Sequence, residues 1–586
     1  MLLKTGSYVA SLRYEAPLRE LSFVLRDVLR VPQRWGELPR FEDFDLADAE
    51  AAVAEAARFA TEQVMPLNAV ADAIGCVRSA DGAVSSPPGF PAAYAMYREL
   101  GWTAASAPLD EGGLGLPRFV FAIVYEMLAG ASHAFMMYAA AGHCAADCLR
   151  HSASPALRGQ WLPQLADGSA LATMCLSEPQ AGSDVGLART SARPLGDGTY
   201  VVHGTKIFAS GGEHDLTPQI LHLVLARLPD APAGTRGLSL FAVPRLLEPG
   251  KRNAVVCDGI EHKMGLHGSA TCTLRFDGAV GWLVGEPHGG LRAMFPMMNE
   301  ARLLSGLQAN GAAEVGLQST LHWAEERRQG RLPGSPSTVR LLDHPDVQRM
   351  LLTQRGWTEG GRMLALQVAC WIDEAEAHPD AEVRAERQAL VGLLTPLVKA
   401  FLTENAQASL YLALQAHGGY GFIRETGIEQ LVRDVRVTTL YEGTTGMQSQ
   451  DLLLRKVVGD GGRALALLRR EMAVKEGASP FDVTLALLGD RIAGLAAALS
   501  TRESASPGAT LPACTPFLRL VGLWVFAWLW SRAHVAAQDG ARSGDTWFRG
   551  KQACARFYFD HMLPEAEALM RDIEAPASLW EDALTR

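Results

Sequence analysis

Apolar residues in the first third of the chain recur every three or four positions, the period of a helix that buries one face. Ala49, Val53, Ala56, Ala60 and Val64 form such a stripe after a candidate cap at Asp45, and Pro66 is expected to close that helix. A Pro/Gly stretch, residues 85–91, separates it from a helix over 92–100. Two more follow over 119–129 and 135–150, with another leading into Trp161. Near Leu171 the period drops to two. Short β-rich runs at 172–176, 200–203, 206–209, 220–228, 238–244 and 271–276 alternate with turn clusters such as 229–237. Strands without intervening helices predict an antiparallel sandwich or barrel, ending near Gly285. Helical spacing returns at 295–328, 344–374 and 383–414. Short connections predict an antiparallel bundle, and small residues in its first helix predict close packing. A linker at 476–480 precedes helices over 481–500, 517–538 and 546–571, interrupted by a loop at 504–516. The expected fold is mainly α with a central antiparallel β domain. Its parts are a helical domain (1–170), a β domain (171–285), a helical bundle (286–470) and an extra helical domain (471–586).

Composition narrows the function classes. A net charge of -10 argues against nucleic acid as the partner. Nine scattered cysteines without a CxxC pair suit reduced thiols and a cytoplasmic setting. His143, Cys144, Asp147, Cys148 and His151 share helical spacing, but no second ligand cluster accompanies them, so a packing helix is expected and no metal. Lys4 is followed by Thr5, Gly6, Ser7 and Tyr8, unlike a signal peptide. The most apolar run, residues 520–530 between Arg519 and Arg532, is shorter than the ~20 residues that span a bilayer and reads as a core helix.

The chemistry concentrates in residues 415–456, QAHGGYGFIRETGIEQLVRDVRVTTLYEGTTGMQSQDLLLRK. Residues 435–441 are β-branched and aromatic and read as extended; Gly443 then breaks the chain. Thr445 with Gln448 three residues on fits a capping box, so a helix is expected to start there. Glu442 then sits just ahead of a positive helix end, which favours the ionised carboxylate that a base requires. A solvated glutamate in a turn has the same local signature.

Seven motifs in order decide between these readings. PLDEGGLGL (108–116), MCLSEPQAGSDVG (174–186), GTKIFASGGEHD (204–215), HKMGLHGSATCTLRFD (262–277), MMNEARLLSGLQ (297–308), QAHGGYGF and RDVRVTTLYEGTTG together resemble the flavin-dependent acyl-CoA dehydrogenase family. YEAPLRELSFVL (14–25) and the helical tail resemble its longer branch, which includes broad fatty acyl-CoA and methylthiopropionyl-CoA dehydrogenases. The resemblance implies an FAD enzyme that converts an acyl-CoA to the trans-2-enoyl-CoA. Glu442 would remove the α-proton while a hydride leaves the β-carbon for the flavin. The Glu442 N–H would help hold the thioester carbonyl. Tyr441 would wall the site, with Gly443, Ser183 and Arg302 beside substrate.

The same resemblance places Leu176, Ser177, Gly182 and Ser183 on the flavin ring edge and pyrophosphate. Phe208 would stack on the ring and Ser210 hydrogen-bond it; Phe208 stands where the family often has Trp. Arg327, or its neighbour Arg328, would reach the pyrophosphate of a neighbouring subunit. Gln415, Gly418 and Gly419 would embrace the adenine end from another subunit, and Thr444 and Gln448 would complete the site. The implied assembly is a homodimer or dimer of dimers, with the tail supporting the dimer. The implied electron acceptor is an electron-transferring flavoprotein. An acyl-CoA oxidase and a weakly catalytic, DNA-associated flavoprotein relative are the alternatives; acidic composition and the intact Glu442-Gly443-Thr444 weigh against the second. Substrate is open between a broad fatty acyl range, which is favoured, and a thioether acyl-CoA. Small residues at Ala104, Ala105 and Ser106 are candidates for a pocket lining or for packing.

Overall fold

A computed structural model describes residues 12–473, 478–575 and 584. Lys4 to Tyr8, and the first two residues of the expected linker, lie outside the described residues. The chain divides into two compact units. One is built from the segment ending at Ala54, Arg118–Glu126 and the chain from Ser305; the other from Glu55–Pro117 and Met127–Leu304.

In the first unit, three long helices form the bundle: Gly290–Glu326 (from Ser305 onward), Pro345–Ala377 and Ala381–His417. The last two are joined by three residues, which forces antiparallel neighbours. Small residues set their spacing. A Cβ on Gly306 would stand 2.5 Å from the Val398 carbonyl oxygen, and one on Gly316 2.4 Å from Leu410. Arg362 is buried in this core and is neutralised by Glu126 and Glu314, each at 2.8 Å. The apolar run 520–530 lies in a helix, Cys514–Ala536, and is buried throughout, as its composition predicts. Trp530 donates to the Gly356 carbonyl at 3.2 Å. The expected single helix over 546–571 is instead Thr546–Phe557, a wide turn Tyr558–Met562 and Glu565–Glu574, divided just after Pro564. Among the described residues, two helices are long and apolar enough by composition to cross a membrane: Asp482–Ala505, and Leu511–Ala536 with 83% of its apolar window buried.

In the second unit, the helix expected to stop at Pro66 does not. It widens into a π turn over Ala60–Val64 and resumes as Met65–Ile74, with Pro66 in the first turn. The wide turn and the helix start tolerate a residue that lacks an N–H, so proline interrupts the bonding without ending the helix. A small hairpin, Val77–Arg78 with Val84–Ser85, also escaped the helical reading of this region.

The main sheet has seven strands: β1 Ala170–Cys175, β2 Ser191–Pro194, β3 Tyr200–Ser210, β4 Gln219–Arg227, β5 Leu238–Pro244, β6 Val255–Ile260 and β7 Thr271–Val284. Their order is β6-β7-β3-β2-β4-β1, and β5 pairs with both β7 and β4. That closes β7, β3, β2, β4 and β5 into a ring. Pairing is antiparallel except at β1–β4 and one β2–β4 contact, which are parallel. β5 is buried at every position and β4 at all but its ends, which is why both read as unbroken apolar runs. The two runs expected at 200–203 and 206–209 are one strand. Gly204, at φ 152°, keeps the pairing unbroken between them, opposite Phe276, and a Cβ there would stand 2.3 Å from Thr190 Oγ1.

Candidate active site

The first unit carries Glu442. Residues 435–441 are not extended: the helix Ile428–Val435 tightens into a 3-10 turn, Arg436–Thr439. The threonines that suggested a strand bond backward instead. Thr438 Oγ1 donates to Val435 O at 2.6 Å and Thr439 Oγ1 to Arg436 O at 3.1 Å. Such local bonds, with both threonines buried, outweigh β propensity.

The next helix, Thr445–Gln450, is capped one residue earlier than expected. Thr444 Oγ1 accepts from Met447 N at 3.4 Å. Gln448 does not complete a capping box; its Nε2 donates to the Glu442 carbonyl at 3.0 Å. Glu442 is half-buried and left-handed, at φ 53°, and Gly443 follows at φ 92°. A non-glycine residue there is strained by roughly 1 kcal/mol or more. Two donors hold the turn. One is Gln448; the other is Lys399, 0% exposed, whose Nζ donates to the Gly443 carbonyl at 2.5 Å. Glycine suits position 443 because φ 92° is a conformation that side chains rarely adopt, and a Cβ there would also push on Gln448 Nε2 at 2.6 Å. Tyr441 donates to Gln308 Oε1, and Gln308 Nε2 donates to Tyr125 at 2.7 Å. Burial pushes the Tyr441 phenol well above its ordinary range, so it stays neutral.

At another part of this unit Arg327 lies with its guanidinium 5.9 Å from the Trp323 ring and 5.8 Å from the Tyr420 ring. His417 stacks on Trp323 at 5.3 Å. Gln415, Gly418 and Gly419 are exposed beside this cluster, and a Cβ on either glycine would meet nothing within 4 Å. Arg328 is committed elsewhere, donating to the Thr338 carbonyl at 3.2 Å.

The second unit carries the other expected residues. Leu176 and Ser177 follow β1, and the Ser177 carbonyl accepts from Ile207 N at 2.9 Å, which fixes this loop to β3. Gly182 and Ser183 are exposed on the turn beyond it. On β3 a bulge sets Ile207 and Phe208 against Thr273 alone, because Lys206 pairs with Leu274 and Ala209 with Cys272. Phe208 takes φ 59° and the residue is 60% exposed. Ser210 ends the strand opposite Thr271. A buried ion pair anchors the arrangement. Lys206, 0% exposed, donates to Glu178 at 2.8 Å and to the Leu176 carbonyl at 3.0 Å. Glu178 also accepts from the backbone N–H of Arg189 and Thr190, at 2.7 and 3.0 Å. Burial alone would raise the Glu178 carboxyl, but the Lys206 charge and these donors hold it down at about 2. Arg302 also falls in this unit, donating to Asn299 at 3.3 Å.

Lys206, Glu178, Lys399 and Gln308 were not singled out from the sequence. A signal existed for the lysines: each is a lone charge inside an apolar run, TKIFA and PLVKAFL, where a lysine is buried only with a partner. Ala104, Ala105 and Ser106 are buried, and Ala104 and Ser106 line a water-sized cavity of about 10 Å³, with Ser106 Oγ 3.4 Å from His143 Nε2. The His143–His151 face packs: Cys148 donates to Ala293 O at 3.2 Å and His151 Nδ1 lies 2.8 Å from Asp147 O.

Each unit, taken by itself, carries residues whose chemistry suits part of a flavin dinucleotide. Gln448 Oε1 is a buried acceptor with no partner in the structure, beside Glu442. Gly182, Gly418 and Gly419 leave open space where a side chain would stand. Phe208 offers a strained, exposed aromatic face, and Arg327 offers a guanidinium braced by two rings for phosphate.

Comparison with known proteins extends this over the whole chain. Family models described as acyl-CoA dehydrogenase N-terminal, middle and C-terminal domains match residues 47–169, 173–279 and 288–456. One described as acetyl-CoA dehydrogenase C-terminal like matches 465–582. A 3-methylmercaptopropionyl-CoA dehydrogenase of Ruegeria pomeroyi is 41% identical over 95% of this chain and 97% of its own. A broad-specificity linear acyl-CoA dehydrogenase of Mycobacterium tuberculosis is 36% identical over 94% and 96%. An acyl-CoA dehydrogenase of Bacillus anthracis, solved with FAD, shares the fold at TM-score 0.74 and 20% identity, over 98% of this chain and 94% of its own.

Proposed function

The chain belongs to the acyl-CoA dehydrogenase family, and on that premise we propose how its residues divide the work. It is an FAD-dependent oxidoreductase that dehydrogenates an acyl-CoA. In the proposed mechanism Glu442 takes the α-proton. The observation that carries this is its turn: a half-buried carboxylate on a left-handed residue whose own carbonyl and whose neighbour's carbonyl are each held by a buried side chain. FAD, when bound, accepts the hydride from the β-carbon. The Glu442 N–H polarises the thioester carbonyl, so that charge developing on the enolate oxygen meets a fixed donor. Tyr441, kept neutral and tied to Gln308, walls the site without competing for the proton. Leu176, Ser177, Gly182, Ser183, Phe208 and Ser210 would hold the ring edge and pyrophosphate, Arg327 would reach the pyrophosphate and Gln415, Gly418 and Gly419 the adenine end of a neighbouring subunit's cofactor, and Thr444 and Gln448 would serve the site of Glu442. Arg327 takes the phosphate in preference to Arg328, whose guanidinium is spent on a backbone carbonyl.

The substrate we propose is a linear acyl-CoA, with a short thioether acyl-CoA first among them. The 41% identity to the methylmercaptopropionyl-CoA enzyme favours the thioether, and the 36% identity to the broad linear enzyme favours the wider class. The four-part division at residues 170, 285 and 470, a homodimer, a cytoplasmic setting, a part in β-oxidation and an electron-transferring flavoprotein as acceptor belong to the same proposal.

Anaerobic titration of the purified holoenzyme with acyl-CoAs of graded length, including a thioether acyl-CoA, tests it. Visible flavin absorbance should bleach with at least one of them. Glu442→Gln should bind the same ester and bleach ~10³-fold more slowly, the middle of the range for losing a general base. Unchanged bleaching in that variant would remove Glu442 from the mechanism.

A further inference from the structure

Glu442 is in an expensive backbone conformation, and the structure shows what keeps it there. Glu442 and Gly443 both have positive φ, at 53° and 92°. Such a pair turns two successive carbonyls away from the helical bonds that would otherwise satisfy them. Both carbonyls are answered by side chains. Gln448, buried one turn into the following helix, takes the first at 3.0 Å; Lys399, buried on the long helix Ala381–His417, takes the second at 2.5 Å. Five residues on, Glu404 of that same long helix accepts from Thr445 Oγ1 at 2.6 Å. The base is thus tied to one rigid helix on the C-terminal side of its turn. On the N-terminal side, Tyr441 is tied through Gln308 to a second helix.

From this geometry we propose that Lys399 is a positioning residue for proton abstraction. Its ammonium holds the Gly443 carbonyl, keeps the Glu442–Gly443 turn left-handed and so fixes the direction of the Glu442 carboxylate. Burying an ammonium is costly to solvation, and its bond to the Gly443 carbonyl puts that charge on the turn that carries Glu442. The ammonium also gives a charge-assisted bond, roughly twice as strong as a neutral one, which suits a turn that must not relax when substrate enters. The inference rests on Glu442 being the base.

The test separates the two claims by following the proton alone. A 3-thia-acyl-CoA carries an exchangeable α-proton but has sulfur where the β-CH2 would lie, so it can lose the proton and not the hydride. Its α-deuterium uptake in D2O, measured by mass spectrometry per bound flavin, reports the base directly. Glu442→Gln should abolish enzyme-dependent exchange; exchange that persists overturns the assignment of the base whatever Lys399 does. With that established, Lys399→Met should lower exchange per flavin at least tenfold with the ester's dissociation constant within twofold of wild type. Lys399→Arg, which keeps a charged donor, should recover part of the loss. A purely structural role predicts the opposite pattern: less flavin and a lower melting temperature, with exchange per flavin unchanged, and that result overturns the proposal. If Lys399→Met does not fold, Lys399→Gln, which keeps a neutral donor at that position, decides. Exchange per bound flavin lowered at least tenfold supports the clamp, and wild-type exchange per bound flavin overturns it.

Discussion

Two left-handed residues, one in each unit, are the ones proposed to face substrate and flavin, and the molecule secures them differently. Glu442, in the bundle unit, has φ 53°; Phe208, in the β unit, has φ 59°. Each lies near a fully buried lysine that donates to a loop carbonyl. Lys206 also meets a carboxylate, Glu178, and the pair clips a loop to a strand. Lys399 meets the Gly443 carbonyl and clips a turn to a helix. The sheet enforces its turn by register: two residues face one, so the bulge persists for as long as the flanking pairs hold. The helical turn has no such ladder, and side chains must supply the constraint. The difference lies in where strain is stored, in hydrogen-bond register on one side and in individual donors on the other.

That comparison breaks most visibly at Lys206. Lys206→Met leaves Glu178 buried without its charge partner, a loss expected at about 3–5 kcal/mol in denaturant unfolding. Replacing both, Lys206→Met with Glu178→Leu, should recover only part of that stability, because the apolar pair removes both desolvation costs but leaves the Arg189 and Thr190 N–H groups and the Leu176 carbonyl without their partners. The double variant should still fail to retain flavin, since the Leu176–Thr190 loop loses its anchor; normal flavin content would show that the pair serves stability alone.

Asp373 sharpens the contrast from the opposite charge. It is a buried carboxyl held by backbone donors, accepting from Arg118 N at 2.7 Å and Phe119 N at 3.1 Å. Burial pushes it up to about 7 in spite of those donors, whereas Glu178, facing a lysine, is held at about 2. The folded state therefore retains a proton that the unfolded chain releases near pH 4. This contribution is fully present below that value and is lost as pH rises through 7. Asp373→Asn should remove this slope. The stability difference between variant and wild type, followed by urea unfolding from pH 4 to 8, should change by up to about 4 kcal/mol. A flat difference would mean that Asp373 is ionised throughout.

The order of helices and strands was legible because amphipathic stripes and alternating runs report burial directly. Glu442 stood out as a candidate in the sequence because a glycine, a threonine and a family motif surround it. The local shape of its approach was not. Val437, Thr438 and Thr439 have strand propensity, and only the hydroxyl-to-carbonyl bonds and burial reveal the helical turn. Pro66 misled for a similar reason, since a π turn absorbs the missing donor two residues earlier. The Phe208 bulge was invisible because register is a property of two strands, and GTKIFAS alternates the same way with or without it. The buried lysines carried a compositional signal, but their partners, Glu178 and the Gly443 carbonyl, lie 28 and 44 residues away in sequence.

The smallest effect separates strain from contact at Phe208. The residue is largely exposed, so truncation removes little buried surface, while its backbone occupies a region that favours glycine. Phe208→Gly and Phe208→Ala both remove the aromatic face, but only glycine relieves the left-handed cost. In apoprotein thermal unfolding, Phe208→Gly should exceed Phe208→Ala by about 1 kcal/mol, with both near wild type. Both should lose flavin affinity alike, by roughly tenfold if stacking is worth about 1 kcal/mol or a little more. Equal stability of the two variants would mean that the bulge imposes no strain. It would then be a register error tolerated by the sheet, and the parallel with Glu442 would end at the dihedral angle.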